Sequence, residues 1–169
     1  MSEIPSAAAT ARARAKQLGD EGEQLAVELL TARGYEAELL PTNHPTYDVV
    51  ASRGATRFYV SVKVSREKQH VRLGSRASVM RLNAGDFVFA FLPDGGAEIS
   101  LRPPGYRLLI IPAEVARTDS LANHDAYWDE RGGDRDGYSV MIKGYERRPA
   151  HRQAWLRWQG YQDAWHLLP

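Results

Sequence analysis

Two charged side chains stand in consecutive strand-like runs of this chain, Asp48 in TYDVVAS and Lys63 in RFYVSVKVSRE. A carboxylate is an oxygen ligand for a hard cation, and an ammonium beside it offsets negative charge as it develops; metal-dependent hydrolysis rests on that combination. Strand geometry gives the pair meaning, because side chains alternate between faces and residues two apart share one. Across residues 58–64, Phe58, Val60, Val62 and Val64 take one face, while Tyr59, Ser61 and Lys63 take the other. An ammonium placed so centrally is costly to bury unpaired. A carboxylate on the neighbouring strand would pair it. The connection Ser52, Arg53, Gly54, Ala55 has the chemistry of a short hairpin loop, so the strand over residues 46–51 is expected to run antiparallel to that over 58–64. Asp48 and Lys63 then meet at one edge. A structural salt bridge at a sheet end would produce the same two residues.

The element just upstream adds a third group. LGDEGEQLAVELLTAR, residues 18–33, fits an amphipathic helix stopped by Gly34. Leu18, Leu25, Leu29 and Ala32 centre its apolar arc, which Ala26, Leu30 and Val27 extend, and Glu21, Gln24, Glu28 and Thr31 cluster opposite. Glu23 falls between Leu30 and Val27, on the flank of the face that packs on the sheet. A surface helix with no function to perform would more often place this acid with the others, although a flank residue can also snorkel to water.

A helix with Glu23, a strand over 35–40, a strand with Asp48 and a strand with Lys63 follow one another in that order. Here the chain resembles the restriction-endonuclease-like, or PD-(D/E)xK, nuclease superfamily, through the GE of Gly22 and Glu23, RGY ending at Tyr35, YDVVA starting at Tyr47 and VSVKVS starting at Val60. DFVFAFLP, YRLLIIPAEVA and the closing YQDAWHLL are similar to segments of an uncharacterised bacterial branch with this core. The resemblance implies an α/β fold with a central mixed sheet flanked by helices. It implies Asp48 as a metal ligand, Lys63 as the group that positions the attacking water and offsets charge, Glu23 as a helix-borne acid completing the metal shell, and the carbonyl of Val62 as a further ligand. The family's acidic position falls on Ser61. A serine hydroxyl can ligate magnesium but brings no negative charge to a cation that prefers anionic oxygens, so the expected site is a weakened one. The function implied is a Mg²⁺-dependent DNA endonuclease, with Mn²⁺ as a substitute. The alternative is a catalytically inactive nuclease-fold module that binds DNA or a protein partner, in a defence system for example.

Charge is distributed unevenly. The whole chain of 169 residues carries a formal net charge of only +1, yet between Lys63 and Arg81 six cationic side chains (Lys63, Arg66, Lys68, Arg72, Arg76, Arg81) face Glu67 alone, with His70 among them. With Gly74, Ser75 and Ser78 this stretch reads as a phosphate-contacting loop beyond the site, making Arg66, Lys68, Arg72, Arg76 and Arg81 the expected DNA contacts; a solvated basic loop would look the same. A homodimer would suit cleavage of both strands, though no patch specifies one.

Residues 1–16 are alanine-rich and basic and lack the apolar core of a signal peptide. They read as a flexible arm or a frayed extension of the first helix, ahead of a single nuclease-like domain over 17–169. The sequence contains no cysteine, which excludes disulfides and thiolate metal sites and suits a cytoplasmic location. Strands are expected over 87–92, 107–111 and 138–143, and a short helix over 113–117. Residues 123–136 read as a polar loop. Asp134, Asp136 and Gly137 suggest a calcium loop, but the position that needs Glu is Tyr145; His124, Asp125 and Asp129 could ligate a metal but in a polar loop usually bind nothing. After Pro149 a helix carries Trp155 and Trp158 with Arg147, Arg148, Arg152 and Arg157 along its other side. Core packing explains these tryptophans, with Trp165, better than base stacking does.

Overall fold

The first helix begins earlier than its apolar periodicity. In the computed structural model, which describes residues 7–66, 69–95 and 98–169, α1 spans Ala7–Thr31. Residues 7–16 are therefore the opening turns of α1, not a separate arm. Alanine and arginine are among the strongest helix formers, and Lys16 pairs with Asp20 one turn on at 2.7 Å. The helix ends before Gly34, whose φ of +83° suits a residue without a side chain.

Beyond it the chain forms β1 (Glu36–Leu39), β2 (Val49–Arg53), β3 (Thr56–Val64), β4 (His70–Gly74), α2 (Arg76–Met80), β5 (Phe87–Pro93), β6 (Tyr106–Pro112), α3 (Ala113–Arg131), β7 (Tyr138–Met141) and α4 (Pro149–Gln159). Five strands make a central sheet in the order β1-β2-β3-β5-β6, and β4 and β7 form a separate two-stranded ribbon. β1, β2 and β3 pair antiparallel, with Gly54 and Ala55 turning the β2–β3 hairpin between the partners Arg53 and Thr56. The next pairing, β3 with β5, is parallel, and β5 with β6 is antiparallel. This is the mixed, helix-flanked α/β sheet that the sequence led us to expect.

Each face of the sheet has its own core. Ala26 and Leu30 of α1 pack on Phe58, Val60, Val62, Phe89 and Phe91. The opposite face gathers Val88, Leu109 and Ile111 with Ala116 of α3, Trp155 and Trp158 of α4, and Val71 and Val140 of the ribbon. The two tryptophans are core residues, as their helical spacing predicts. Trp158 is fully buried, and its indole N–H donates to Asp119 Oδ2 at 2.9 Å. Trp165 meets Phe89 edge-on, and the Arg33 guanidinium lies 3.4 Å over its ring.

Two stretches differ from the sequence reading. The short helix predicted over 113–117 is α3, of 19 residues, and it absorbs most of the predicted 123–136 loop. Beyond Ala113 and Ala116 its buried residues are polar, Asp119, Ser120, Asn123 and His124, with Asn123 Oδ1 accepting the Met141 N–H and His124 stacked on Tyr138. A helical pattern written in polar residues looks like a loop. The basic stretch after Lys63 is likewise no plain loop but β4 followed by α2, whose first turn Ser75 caps by accepting from the Ser78 N–H.

Candidate active site

β2 starts late relative to β3, and the site lies in the notch this leaves. The last register pair between them is Val49 with Val60, and Asp48 extends the ladder by donating its N–H to the Val60 carbonyl at 2.9 Å. The next inward-facing amide on β3, that of Val62, has no strand opposite it. The Asp48 side chain takes the strand's place, its Oδ2 accepting the Val62 N–H at 2.6 Å. In an extended strand the N–H and C=O of one residue project to the same side, so the Val62 carbonyl also faces the notch.

Ser61 is buried, at 1 % exposure, and its hydroxyl hydrogen-bonds the Asp48 carboxylate. Where the resemblance implies an acid, the chain thus has a donor to one. Desolvation raises the Asp48 carboxyl above the ordinary aspartate range, and the Lys63 charge, the Val62 amide and the Ser61 hydroxyl oppose it. Glu23, on α1, lies within range of the same charges. Its carboxyl is also raised, first by desolvation and then by the negative charges of Asp48 and Asp20, with Lys63 and Lys16 acting the other way. The close seat of α1 depends on Gly22, where a Cβ would overlap Val64 Cγ2. Asp48 lies against Val62 and Ser61 of β3, and the charges of Glu23 and Lys63 act within the same neighbourhood.

The predicted basic residues divide. Lys63, Arg66, His70 and Arg72 line one cleft of about 380 Å³, roofed by Ala15 of α1. Arg76 points elsewhere: its guanidinium bonds the Tyr138 hydroxyl at 3.2 Å and its backbone N–H caps onto Asp136. Arg81 ends α2, and its carbonyl accepts from the Tyr47 hydroxyl at 3.1 Å. Lys68 lies outside the described residues. One neighbour of the site escaped the sequence reading. His44, half-buried, sits in the β1–β2 connection with its ring parallel to that of Tyr59 (11°, centroids 6.5 Å apart). A histidine four residues ahead of the aspartate, between two turn-forming residues in NHP, was the available signal.

Among the described residues no set of three or more His, Cys, Asp or Glu side chains is arranged to hold a metal ion. The donors that are present nevertheless suit a hard cation that takes one or two carboxylates and completes its shell with water and substrate phosphate. Two desolvated carboxylates, each held above its ordinary range, are groups whose charge a cation would relieve.

The chain matches no family model and no curated protein. Among solved structures it is similar to the Holliday junction resolvase Hjc of Archaeoglobus fulgidus, at 17 % identity over 77 % of this chain and 88 % of that one, with a TM-score of 0.46. It is also similar to the bacterial homing endonuclease I-Ssp6803I, at 19 % identity over 90 % of each chain, with a TM-score of 0.45.

Proposed function

We propose that this protein is a metal-dependent DNA endonuclease. The observation that carries the reading is the Asp48 carboxylate seated in the notch between β2 and β3, where it accepts the Val62 amide, with the charges of Lys63 and Glu23 near enough to act there. Asp48, Glu23 and the Val62 carbonyl are the groups that would hold Mg²⁺, or Mn²⁺ in its place. Bound there, the ion would supply Lewis-acid polarisation of a phosphodiester and a more acidic water. The chain's own work is electrostatic. Lys63 places a fixed positive charge where negative charge accumulates on phosphorus oxygens as the new P–O bond forms and the ester P–O bond breaks. Ser61 holds the Asp48 carboxylate in place and favours its ionised form. Arg66 and Arg72, on the cleft that begins at Lys63, would take the flanking phosphates and set the strand's register.

The test is cleavage of supercoiled plasmid and of branched DNA with Mg²⁺ or Mn²⁺. Lys63→Ala should lower the rate by about two to three orders of magnitude; unchanged cleavage would remove Lys63 from the mechanism. Ser61 motivates a second reading, a nuclease fold that binds DNA or a protein partner without cutting. Salt-sensitive DNA binding with no strand breaks in any metal would favour it, and activity appearing in Ser61→Glu would identify the disabling position.

A further inference from the structure

The β1–β2 connection is folded around an imidazole. The His44 N–H donates to the Pro41 carbonyl at 2.8 Å, and His44 Nδ1 accepts the Tyr47 N–H at 3.0 Å, with the Thr46 N–H at 3.5 Å. These contacts settle the tautomer from the hydrogen-bond network: Nδ1 is an acceptor, so the ring proton is on Nε2. Tyr59 fixes the ring plane from one side and Tyr47, with its centroid 6.0 Å away, from another. Tyr59 belongs to the alternate residues of β3 that continue as Ser61 and Lys63, and His44 stands four residues ahead of Asp48 in the connection that enters β2. Among the described residues no acceptor is hydrogen-bonded to Nε2. The ring thus presents one oriented N–H donor at the border of the notch, on a side chain that is half-buried and locked at its other nitrogen.

A loop that needed only a cap could use asparagine or aspartate, whose short side-chain oxygen accepts a nearby N–H without a ring. The imidazole adds the distal donor. We infer that His44 is a substrate-contacting residue of the site, donating from Nε2 to a non-bridging phosphate oxygen of the bound DNA strand. The inference rests on the endonuclease reading for the identity of the ligand. It requires no change of protonation: a neutral imidazole locked in this tautomer donates one hydrogen bond to an anionic oxygen, and such bonds are stronger than neutral ones.

The experiment separates contact from catalysis by working in the full chain carrying Asp48→Asn, in which Asn retains an oxygen for the Val62 amide but loses the charge needed for cleavage. Affinity for a labelled DNA duplex is measured by fluorescence anisotropy at low salt, with His44→Asn and with His44→Gln added. Asn retains the acceptor at the Nδ1 position and removes the distal donor, while Gln retains a donor near Nε2. His44→Asn should weaken binding about tenfold and His44→Gln no more than about threefold. Equal affinity in all three would overturn the assignment. A measurement free of folding effects is the ¹⁵N resonance of His44 Nε2 in the unsubstituted His44 ring, which should shift on addition of DNA; an unmoved resonance at saturation would also overturn it. Cleavage by the unmutated protein decides the endonuclease reading separately. Absence of cleavage together with a tenfold loss in His44→Asn would overturn only that reading, and absence of DNA binding in every variant would overturn both.

Discussion

Asp48 does two jobs that conflict. Its carboxylate replaces a missing strand by accepting the Val62 amide, and it must also stay ionised in a place where desolvation favours the protonated acid. Because its folded-state pKa lies above the unfolded value, the native protein takes up this proton first. Stability from this residue therefore rises as pH falls through the folded value and levels off below the unfolded one. Asp48→Asn removes the penalty while keeping an acceptor for Val62. The variant should melt above the wild type at neutral pH while cleaving at least about a hundredfold more slowly; a lower melting temperature would show that the charge is stabilising where it stands. Asp48 and Lys63 stood out in the sequence because a charge at the end of an apolar, period-two run is conspicuous; in the fold Asp48 lies just ahead of β2 and Lys63 next to the last residue of β3. His44 did not stand out, since its one signal, a histidine between turn-forming residues in NHP, fits equally a residue that merely caps a turn.

At the scale of elements, α1 positions Glu23 by its closeness to β3. Gly22 costs helix stability, about 1 kcal/mol relative to alanine, and its absent Cβ leaves room for Val64. Gly22→Ala should gain that propensity yet lose more to overpacking, for a net destabilisation of about 1 kcal/mol in chemical denaturation, and should lower cleavage by moving Glu23. A stabilised variant with full activity would show that Val64 yields and that the helix seat is not strict. Helix α3 shows why part of the fold escaped pattern reading. Its inward positions, Asp119, Ser120, Asn123 and His124, are polar, so the rule that apolar residues mark the buried face fails there, and tertiary partners supply what the pattern omits. One of these partners is testable by itself. Trp158→Phe leaves buried Asp119 Oδ2 without its indole donor and should cost about 2 kcal/mol. A loss well under that would mean that the Arg157 contact, at 3.3 Å, satisfies the carboxylate alone.

For the whole molecule, an almost neutral chain concentrates positive charge along the cleft of Lys63, Arg66 and Arg72. DNA affinity should fall steeply between about 50 and 200 mM salt in proportion to the phosphates contacted, and Arg72→Ala, on the cleft and held there by its bond to His70, should reduce the slope of log affinity against log salt by about 0.9, whereas Arg76→Ala, turned to Tyr138 off the cleft, should leave it unchanged. The sequence sets these arginines close together; only folding separates them, because Arg66 and Arg72 line the cleft while Arg76, at the start of α2, turns to Tyr138. Buried His151, held below its ordinary range by desolvation, adds a whole-fold term. Neutral in the native state, it contributes stability above the ordinary histidine range that is lost as pH falls through it. No helix among the described residues is long and apolar enough to cross a membrane.

The most direct test of the central claim is plasmid nicking with Mg²⁺ or Mn²⁺ by the wild type, Asp48→Asn and Lys63→Ala, side by side. Strand breaks that require metal and vanish in both variants are the predicted result. Nicking that persists in both, or none from the wild type under conditions where it binds DNA, would contradict an active site in the notch between β2 and β3.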